Sequence, residues 1–511
     1  MPDILLTTFN ARYSHASFGL RYLMANLGPL SNRAEMLEFD IHRPPREIVE
    51  TLLARDPTLI GIGVYIWNVT LATEVVRRLK ALQPGLTIIL GGPEVSYEID
   101  RQEITQRADY TIAGEGERVL PELCARLLAG QRPENRVFFA EPPDPTTLTL
   151  PYALYTDQDI AHRHLYVETS RGCPFKCEYC LSALDRKIRW FPLDRVFSEF
   201  EILMARGARH FKFVDRTFNI DIARCEQVLR FFLDRMRPDM FLHLEMVPDR
   251  FPDSLRELIQ QFPPATLQLE IGVQTLNEDV ALRIARPQRA DEVMDHLRFL
   301  RDETGVHMHV DLIAGLPGES LESFATGFDR LVDVDPHEIQ VGILKHLRGA
   351  LIERHDQEWQ MVYNSQPPYE IVRNQLLDDA TVQRVRRFAR FWDVVANSGN
   401  FVETRPALLA VHPSPFWSFM EFSDWLYEQE GRTFGIPLKN LADRIFQFLV
   451  DCKKLDPEET AAHLWNDYRE GGRSDRPDFA LKYIGHKSES DPDRPLRTGL
   501  KRQVRHLRKK M

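Results

Sequence analysis

The chain has few cysteines and no long apolar run. Its six cysteines, among 511 residues, comprise three in one short motif and three isolated at Cys124, Cys225 and Cys452. Such spacing makes no disulfide framework and suits a reducing compartment. No apolar run reaches the roughly 18 residues that a membrane-spanning helix needs, and the first residues lack the basic region of a secretory signal. We therefore expect a soluble, cytoplasmic protein without a membrane partner.

An excess of positive charge is also lacking. The formal net charge of -10 argues against bulk nucleic-acid binding by the whole protein. With 43% hydrophobic residues, a chain of this length buries several cores, which is typical of an enzyme with three or four folding units.

Three cysteines lie close together in one segment. Cys173, Cys177 and Cys180 follow directly after the apolar, strand-like run Leu165–Val167. Soft thiolate ligands suit iron, and one loop with this spacing can surround a corner of an iron–sulfur cluster. Three ligands leave one iron open to a substrate or cofactor. A zinc site is the alternative, but structural zinc prefers four ligands, and no CxxC or paired histidines follow at zinc-finger spacing. We favour the cluster over zinc, and zinc over a metal-free loop.

The first 140 residues alternate between short apolar runs and helical patterns. Predicted strands are residues 4–8, 34–39, 59–65, 87–90 and 110–112, and residues 70–82 show a helical pattern. This alternation predicts a doubly wound, Rossmann-like parallel sheet, in which ligands bind beyond the carboxyl ends of the strands. The loops at those ends are residues 8–14, 65–68, 91–94 and 114–117, two of which contain paired glycines that let a backbone approach a flat ligand closely.

A second alternation starts at Leu165. Predicted strands are residues 165–168, 210–214, 241–246, 266–272, 307–313 and 338–343, with helical patterns at 194–205 and 290–304. Six parallel strands predict a partial (β/α)6 barrel of the TIM type. The cysteine loop follows its first strand, at the end where such barrels carry their functional loops.

The remaining segments complete the predicted domain organisation. The proline-rich stretch from Pro133 to Pro151 predicts a linker. Residues 346–485 are rich in aromatics at helical spacing, which favours a helical core over a pocket, although a helical cap over the open barrel would be a natural place for a substrate. The last 25 residues hold nine Lys or Arg against three acidic residues; we favour a solvated or self-docking tail over RNA binding. We therefore predict a Rossmann-like domain over residues 1–140, a linker over 141–160, the partial barrel over 161–345, a helical domain over 346–485 and a basic tail over 486–511.

The CxxxCxxC motif, with Tyr179 before its last cysteine, resembles that of the radical S-adenosylmethionine (SAM) enzymes, whose cluster binds SAM through the open iron. Two later motifs, Leu269–Asn277 and Asp311–Glu319, resemble strand-and-loop signatures of the same superfamily in the same order. The resemblance implies a 4Fe–4S cluster and a SAM pocket. The SAM-binding residues that it implies are Tyr179, Glu245, Gln274, Arg286, Gly315 and Pro317.

Two glycine loops upstream, Leu90–Glu94 and Ala113–Glu117, are similar to loops in the cobalamin-binding modules that precede many radical SAM domains. The alternative is a domain that has lost its corrinoid, with glycines that only end strands. The cobalamin-binding residues that the resemblance implies are Asn10, Tyr65, Trp67, Asn68, Gly91, Gly92, Glu94, Gly114, Glu115 and Gly116. Asp40 and His42 resemble an axial-histidine element, but they follow the second strand and lack its glycine, so we predict an ordinary turn there.

The resemblance therefore predicts a cobalamin-dependent radical SAM methyltransferase that acts on an unactivated carbon of an unknown small molecule or peptide. It implies an electron donor such as ferredoxin or flavodoxin. Three alternatives stay open: a cobalamin-binding radical SAM cyclase, oxidase or rearrangement enzyme; an RNA-modifying enzyme; and a non-enzymatic corrinoid or redox protein. Similar helical regions follow other cobalamin-binding radical SAM modules. They support the predicted architecture but do not indicate the substrate.

Overall fold

The computed structural model describes residues 1–469, 473, 475–484 and 501–506. The chain packs into two compact units. The first contains Met1–Arg216, His346–Leu351 and Asn364–Glu370, and the second contains Thr217–Lys345, Ile352–Tyr363 and the rest of the chain from Ile371.

The first unit is built on a parallel sheet. Its strands, including four short ones outside that sheet, are β1 (Ile4–Asn10), β2 (Ala34–Asp40), β3 (Leu59–Gly63), β4 (Thr87–Gly91), β5 (Tyr110–Gly114), β6 (Val137–Ala140), β7 (Leu165–Val167), β8 (Ser170–Arg171), β9 (Arg189–Trp190) and β10 (His210–Phe213). The sheet has the order β2-β1-β3-β4-β5-β6, and all its neighbouring strands are parallel. Its central strand β1 is buried along its whole length, as expected for a sheet covered on both faces.

Helices cover both faces of this sheet. The helices of the first unit are α1 (Phe18–Ala25), α2 (Pro45–Leu53), α3 (Val69–Leu82), α4 (Glu103–Arg107), α5 (Val119–Leu128), α6 (Asp157–His162) and α7 (Leu193–Ala205). Because successive side chains of a strand point to opposite faces, Leu5 packs in the core with α2, α3 and α4, whereas Ile4 and Leu6 pack with α1 and α5. The doubly wound sheet predicted from sequence is confirmed.

The strand order fixes where a ligand is expected. The chain passes from β1 to β2 on one side and then returns to β3 on the other side of β1. In open α/β sheets, such a change of direction opens a crevice beyond the carboxyl ends of the two central strands. Asn10 ends β1 and Tyr65–Asn68 follow β3, so both predicted loops lie at this crevice.

One strand was missed. The stretch from Pro133 to Pro151 was predicted as a linker, but Val137–Ala140 pair with β5 and form the edge strand β6. Phe139 is 77% exposed, and the strand is short and flanked by prolines, which edge strands tolerate. Sequence reasoning missed this apolar strand because the prolines of the surrounding stretch favoured a linker.

The strands predicted for the barrel are present in both units. In the first unit, β7 and β10 pair in parallel and β8 pairs with β9 in an antiparallel ribbon. The strands of the second unit are β11 (Phe241–Met246), β12 (Leu267–Gln274), β13 (His307–Ala314), β14 (Glu338–Ile343), β15 (Val362–Tyr363) and β16 (Ile371–Arg373). Strands β11 to β14 pair in parallel, each with the next, and β15 pairs with β16 in antiparallel fashion.

Helices make up most of the rest of the second unit. They are α8 (Ile222–Leu233), α9 (Asp253–Ile259), α10 (Glu278–Arg283), α11 (Ala290–Glu303), α12 (Leu321–Val334), α13 (Asp379–Trp392), α14 (Arg405–Leu409), α15 (Pro415–Glu430), α16 (Leu438–Gln447), α17 (Pro457–Arg469), α18 (Asp478–Tyr483) and α19 (Lys501–His506). Short 3-10 helices occupy Gly28–Arg33, Pro93–Val95, Ile99–Arg101, Pro145–Thr147, Tyr152–Leu154, Leu181–Leu184 and Leu351–His355, and π-helical turns occupy Asp393–Asn397 and Phe448–Cys452. Within the described ranges, no helix combines the length and the apolar character that crossing a bilayer would require.

The aromatic residues of the C-terminal region form a core, as predicted. Phe388 of α13 and Phe416 of α15 pack against Phe328 of α12 with ring centroids 5.2 Å and 5.7 Å away. Helix α12 connects β13 to β14, so α13 and α15 extend the outer helical layer. The expectation of a helical cap is not met by these two helices, because their apolar faces are used against α12.

The described part of the basic tail docks on its own unit. Arg502 of α19 donates to the carbonyl of Asn397 over 2.7 Å and pairs with Glu338 at the start of β14, at 2.9 Å. This agrees with self-docking. Residues 486–500 and 507–511, which hold the rest of the predicted tail, lie outside the described residues.

Candidate functional site

The cysteine loop is anchored at its start by Asp215. The hydroxyls of Thr169 and Ser170 each donate to Asp215 over 2.6 Å, and the Thr169 amide donates to the same carboxylate. Asp215 is 1% exposed, and burial raises the pKa of its carboxyl despite these hydrogen bonds. Sequence reasoning assigned no role to Asp215, whose carboxylate fixes the segment that leads to the cysteines.

The loop turns sharply just before its first cysteine. Gly172 has φ +89°, and a Cβ on it would lie 2.4 Å from the carbonyl oxygen of Lys187. Only glycine fits such an approach. The Cys173 amide then donates to the carbonyl of Asp185 over 2.8 Å, and the Cys180 amide to that of Cys177 over 3.1 Å. These backbone contacts close the loop on itself.

The three thiols suit an iron–sulfur cluster. Cys173 and Cys177 are buried, Cys180 is partly exposed, and no disulfide joins any of them. Among the residues that the structure describes, no group of three or more His, Cys, Asp or Glu side chains is arranged to hold a metal ion. A cluster does not require the three thiolates to converge on one metal ion, because each thiolate binds a different iron. Three soft ligands on one short loop fit that requirement.

A buried arginine joins this loop to the glycine loop after β5. Arg171 donates to Glu115 over 2.6 Å, to Glu117 over 2.7 Å and to Glu168 over 3.0 Å. Its side chain is 13% exposed, and its guanidinium lies 4.5 Å from the ring centre of Tyr22. Burial opposes the charge of Arg171, but the three carboxylates hold its pKa well above the usual range.

Arg189 completes the same set of ion pairs. It donates to Glu115 and Asp185, each over 2.5 Å, and to the carbonyl of Pro143. Burial raises the pKa of Glu115, but Arg189 and Arg171 outweigh this and lower it. We call Arg171, Arg189 and their carboxylate partners the arginine network. Glu115 was predicted to contact cobalamin, and the structure engages its carboxylate with both arginines.

A cavity of about 380 Å³ lies between the carboxyl edge of the sheet and the cysteine loop. Its volume is near the lower end of the range for small-molecule pockets, about 300–1,000 Å³. Its lining includes Leu6, Tyr22, Gly63, Tyr65, Ile89, Gly91, Gly92, Ile112, Gly114, Gly116, Glu168, Arg171 and Gly172. The strands contribute an apolar wall, and the arginine network contributes a polar end.

The predicted glycines serve different needs. A Cβ on Gly91 would meet no atom closer than 3.8 Å, so this position leaves open space on the cavity side. A Cβ on Gly114 would lie 2.8 Å from the carbonyl oxygen of Ala140 in β6. Gly114 is therefore required by strand packing as well. Open backbone beside an apolar wall fits a flat, bulky ligand such as a corrin.

At the crevice, the Asn68 side chain holds its own loop. It accepts from the Tyr65 amide over 2.8 Å and donates to the carbonyl oxygens of Phe9 and Gly63. The Asn10 amide group donates to Glu38 over 2.6 Å. Trp67 is 49% exposed and stacks on Tyr65 with ring centroids 4.5 Å apart. The two asparagines fix the loops, whereas the aromatic pair presents a flat surface.

The predicted turn at Asp40 is confirmed. The His42 amide donates to the Asp40 carboxylate over 2.8 Å, and His42 is exposed.

Glu94 is buried and held by two distant residues. The Tyr369 hydroxyl donates to its carboxylate over 2.6 Å, and Arg348 Nε donates over 3.0 Å. Arg348 also pairs with Glu98 at 2.5 Å. These contacts, which we call the Glu94 clasp, fasten His346–Leu351 and Asn364–Glu370 to the loop after β4. Sequence reasoning missed Arg348 and Tyr369, because they are 254 and 275 residues away from Glu94.

Ser96 connects the loop that the Glu94 clasp holds to two glycines that line the cavity. Its hydroxyl donates to the carbonyl of Gly92 over 2.9 Å and accepts from the amide of Gly114 over 3.1 Å. The loop after β4 is thereby joined to the end of β5.

In the second unit, Gln274 and Arg286 lie at an irregularity in β12. The register with β13 shifts between Gly272 and Gln274, where Gln274 has φ +70°. Arg286 donates to the carbonyl of Gly272. Nearby, the Thr275 hydroxyl donates to Glu319 over 2.5 Å, which joins the two motifs that resemble radical SAM signatures. Burial raises the pKa of Glu319 to about 7.

The other predicted SAM contacts of this unit lie near strand ends. Gly315 follows β13, and its carbonyl accepts from Asn374 over 3.3 Å. The carbonyl of Pro317 accepts from Arg283 over 3.1 Å. Glu245, in β11, pairs in register with Glu270 of β12. Tyr179 belongs to the cysteine loop of the first unit. The roles of these residues in SAM binding stay predictions.

Two known protein families match the chain in the order in which the sequence predicts its first two domains. The family described as B12 binding domain matches residues 4–124, and the Radical SAM superfamily matches residues 167–331. The chain combines a B12-binding domain with a radical SAM domain. The first implies cobalamin, and the second implies a 4Fe–4S cluster and SAM. Residues 357–499 match a protein family of unknown function, DUF4080.

Curated relatives cover part of this chain. A 2-(S-pantetheinyl)-carbapenam-3-carboxylate methyltransferase of Streptantibioticus cattleyicolor is 26% identical over 317 residues, 55% of this chain and 46% of the relative. An uncharacterized methyltransferase of Pyrococcus horikoshii is 25% identical, over 57% of this chain and 67% of the relative. The cobalamin-dependent radical SAM methyltransferase TokK of Streptomyces tokunonensis is 24% identical, over 59% and 49%. The match thus spans about half of two relatives and two thirds of the third.

Solved structures share the fold. The radical SAM methyltransferase TsrM from Kitasatospora setae, with cobalamin and a [4Fe-4S] cluster bound, has a TM-score of 0.57 at 17% identity, covering 71% of this chain and 76% of that one. The cobalamin-dependent SAM radical enzyme OxsB, with aqua-cobalamin and SAM bound, has a TM-score of 0.62 at 13% identity, covering 94% and 83%. The B12-binding and radical SAM folds predicted from sequence are thereby confirmed.

The arginine network yields a first prediction. Arg171→Met keeps the side-chain length but leaves Glu115, Glu117 and Glu168 without this buried cation. Breaking a buried ion pair by removing one partner costs about 3–5 kcal/mol, so we expect a clear fall in Tm and less iron bound after anaerobic reconstitution. The control is Arg118→Met, which changes an exposed arginine directly after the glycine loop that Arg171 contacts. Equal Tm and equal iron content in the two variants would contradict this role for Arg171.

The Glu94 clasp yields a second prediction. Tyr369→Phe removes one hydrogen bond to a buried carboxylate, an interaction worth about 1.5–3 kcal/mol. We expect faster amide hydrogen exchange in Gly91–Ser96, because the clasp holds that loop. Tyr427→Phe, on a partly exposed tyrosine of α15, should leave exchange in these residues unchanged. Protection of Gly91–Ser96 that is unaffected by Tyr369→Phe would exclude the clasp as the element that orders them.

Proposed function

We propose that the protein is a cobalamin-dependent radical SAM methyltransferase that methylates an unactivated carbon of a small molecule or peptide. The main support is the cavity of the first unit, which has the glycine loops of the B12-binding domain on one side and the cysteine-loop segment on the other. The printed activities of the curated relatives add support, because all three are methyltransferases.

The residues of this unit would divide the work of holding the cofactors. Cys173, Cys177 and Cys180 would ligate the cluster. When bound, the cluster and SAM would supply a radical that abstracts hydrogen, and cobalamin would supply the methyl group. Backbone at Gly91 and Gly116 would lie against the corrinoid, and the exposed Trp67 and the partly buried Tyr65 would contact it at the crevice.

Other predicted cobalamin contacts have a structural role in this proposal. Asn10, Asn68, Glu94 and Glu115 would shape the binding loops through the hydrogen bonds described above. The apolar strand residues Leu6, Ile89 and Ile112 would keep water from the buried part of the ligand, because apolar walls leave solvent few hydrogen-bonding partners.

The SAM pocket is proposed from the resemblance. Glu245, Gln274 and Arg286 would bind the polar groups of SAM, since carboxylate, amide and guanidinium groups suit its hydroxyl, ammonium and carboxylate groups. Gly315 and Pro317 would present backbone to adenine, and Tyr179 would lie beside the cluster. The match to the radical SAM superfamily at residues 167–331 supports this assignment, because it contains all six positions.

We also propose that a protein donates the electron and that the enzyme is cytoplasmic. The cysteine usage supports the cytoplasmic location. The substrate class is proposed only as a small molecule or peptide. A cyclase, oxidase or rearrangement enzyme with the same cofactors would form no methylated product, and product analysis distinguishes these alternatives.

The experiment is anaerobic purification with cobalamin, followed by iron, sulfide and corrinoid analysis and incubation with SAM and a strong reductant. We expect one 4Fe–4S cluster and one corrinoid per chain, 5'-deoxyadenosine, and S-adenosylhomocysteine. Replacing Cys173, Cys177 and Cys180 together by Ala should abolish cluster binding and 5'-deoxyadenosine formation, whereas Cys452→Ser, at an exposed cysteine, should preserve both.

Two results would count against the proposal. Iron without corrinoid, or corrinoid without any S-adenosylhomocysteine, would remove methyl transfer and leave a radical SAM enzyme. A reconstituted cluster that does not cleave SAM would favour a non-enzymatic protein.

A further inference from the structure

Three exposed basic side chains lie within the cysteine loop or shortly after it in the chain. Lys176 lies between Cys173 and Cys177 in the chain, and Arg186 and Lys187 follow shortly after Cys180. All three side chains are exposed. We call these three residues the basic patch. It stands out in a chain whose net charge is -10.

The patch is tied to the cluster ligands through the backbone. The Cys173 amide donates to the carbonyl of Asp185, the residue before Arg186, over 2.8 Å. The carbonyl of Lys187 lies against Gly172, the residue before Cys173, so closely that a Cβ there would be 2.4 Å away. The segment that carries Arg186 and Lys187, just before β9, is therefore in direct backbone contact with Gly172 and Cys173.

The acidic residues of the same segment do not cancel this charge. Glu178 is only 2% exposed. Asp185 is paired with Arg189 at 2.5 Å. In the part of the chain that the structure describes, none of the three patch residues forms an ion pair with a carboxylate. The exposed Asp144 borders the patch: hydrogen bonds from Thr146 lower its pKa, and Lys187 adds a smaller effect.

We propose that the basic patch is the docking surface for an acidic, low-potential one-electron carrier protein, which reduces the cluster. The inference rests on the proposed function, because it requires a cluster on this loop. One electron leaves the carrier, which is oxidised, and enters the cluster, which is reduced; no proton and no bond is exchanged.

The position and the charge of the patch both suit this partner. Electron transfer slows steeply with distance, so a carrier must approach the cluster closely, and the exposed side of the ligand loop offers a short route. Complementary charge accelerates encounter and fixes orientation even in small, weak interfaces of the kind that redox partners form. Unpaired, exposed cations are free to make such contacts without breaking existing ion pairs.

The test compares two triple variants with equal charge changes. Lys176→Gln, Arg186→Gln and Lys187→Gln together remove the patch. The control combines Arg77→Gln, Arg107→Gln and Arg126→Gln, which lie toward the carboxyl ends of α3, α4 and α5 and are exposed. Because helices between parallel strands run back across the sheet, the control residues lie toward the amino edge of the strands, opposite the edge that contacts the cysteine-loop segment.

The first readout is binding of oxidised flavodoxin, used as an acidic probe, to the reconstituted protein at about 50 mM salt. We expect the patch variant to bind with a Kd about tenfold higher than that of wild type, because three exposed charge pairs are lost and each of them is weak. Its Kd should also depend less on salt, since salt screens such pairs. The control variant should stay within about twofold of wild type. Equal Kd values for wild type and patch variant, or no salt-dependent binding by wild type, would overturn the inference.

The second readout separates this inference from the proposed function. SAM cleavage is measured once with reduced flavodoxin and once with dithionite, which needs no docking site. We expect the ratio of the flavodoxin-driven to the dithionite-driven rate to fall about tenfold in the patch variant only. A failure of dithionite to drive cleavage in wild type would count against the proposed function, while the binding measurement still decides the docking surface. If wild type binds RNA and the patch variant does not, while both bind flavodoxin equally, the patch would be a nucleic-acid site and the inference would be overturned.

Discussion

The first unit depends on a cation buried among carboxylates. Arg171 is mostly removed from water, and a buried charge is tolerated only when it is paired and hydrogen-bonded. Its partners come from two places in the chain, the glycine loop after β5 and Glu168 beside the cysteine loop. Neither loop can move far without leaving charge unpaired. The loops that we propose for cobalamin and for the cluster are therefore held in one common arrangement.

Around this network, side chains and backbone have separate roles. Asn68, Glu94 and Glu115 use their polar groups on the protein itself, and so cannot offer all of them to a ligand. The surface left for a ligand consists of glycine backbone, apolar strand ends and aromatic faces. Such a surface suits a large flat cofactor, for which contact area matters more than a few directed hydrogen bonds. Fixed loops also lower the cost of ordering when the cofactor binds.

The sequence predicted the parts of the fold that depend on local patterns. Apolar runs such as Ile4–Thr8 identified strands because both faces of the sheet are buried, and the cysteine spacing identified the loop. Strand β6 (Val137–Ala140) is also apolar, but the prolines on both sides of it favoured a linker. The Glu94 clasp could not be predicted, because a local pattern carries no signal for partners as distant as Tyr369. The aromatic residues near Phe388 predicted a core, but the helix that they cover, α12, follows only from the three-dimensional packing.

We infer that the cobalamin loop and the cluster loop are coupled through the arginine network. The most direct measurement is the Kd for cobalamin of the full chain with and without a reconstituted cluster, under anaerobic conditions. Coupled sites change each other's affinity by the same factor, typically about fivefold or more. This coupling predicts tighter cobalamin binding when the cluster is present, because the cluster would order the cysteine loop and with it Arg171. The same Kd in both states would contradict it.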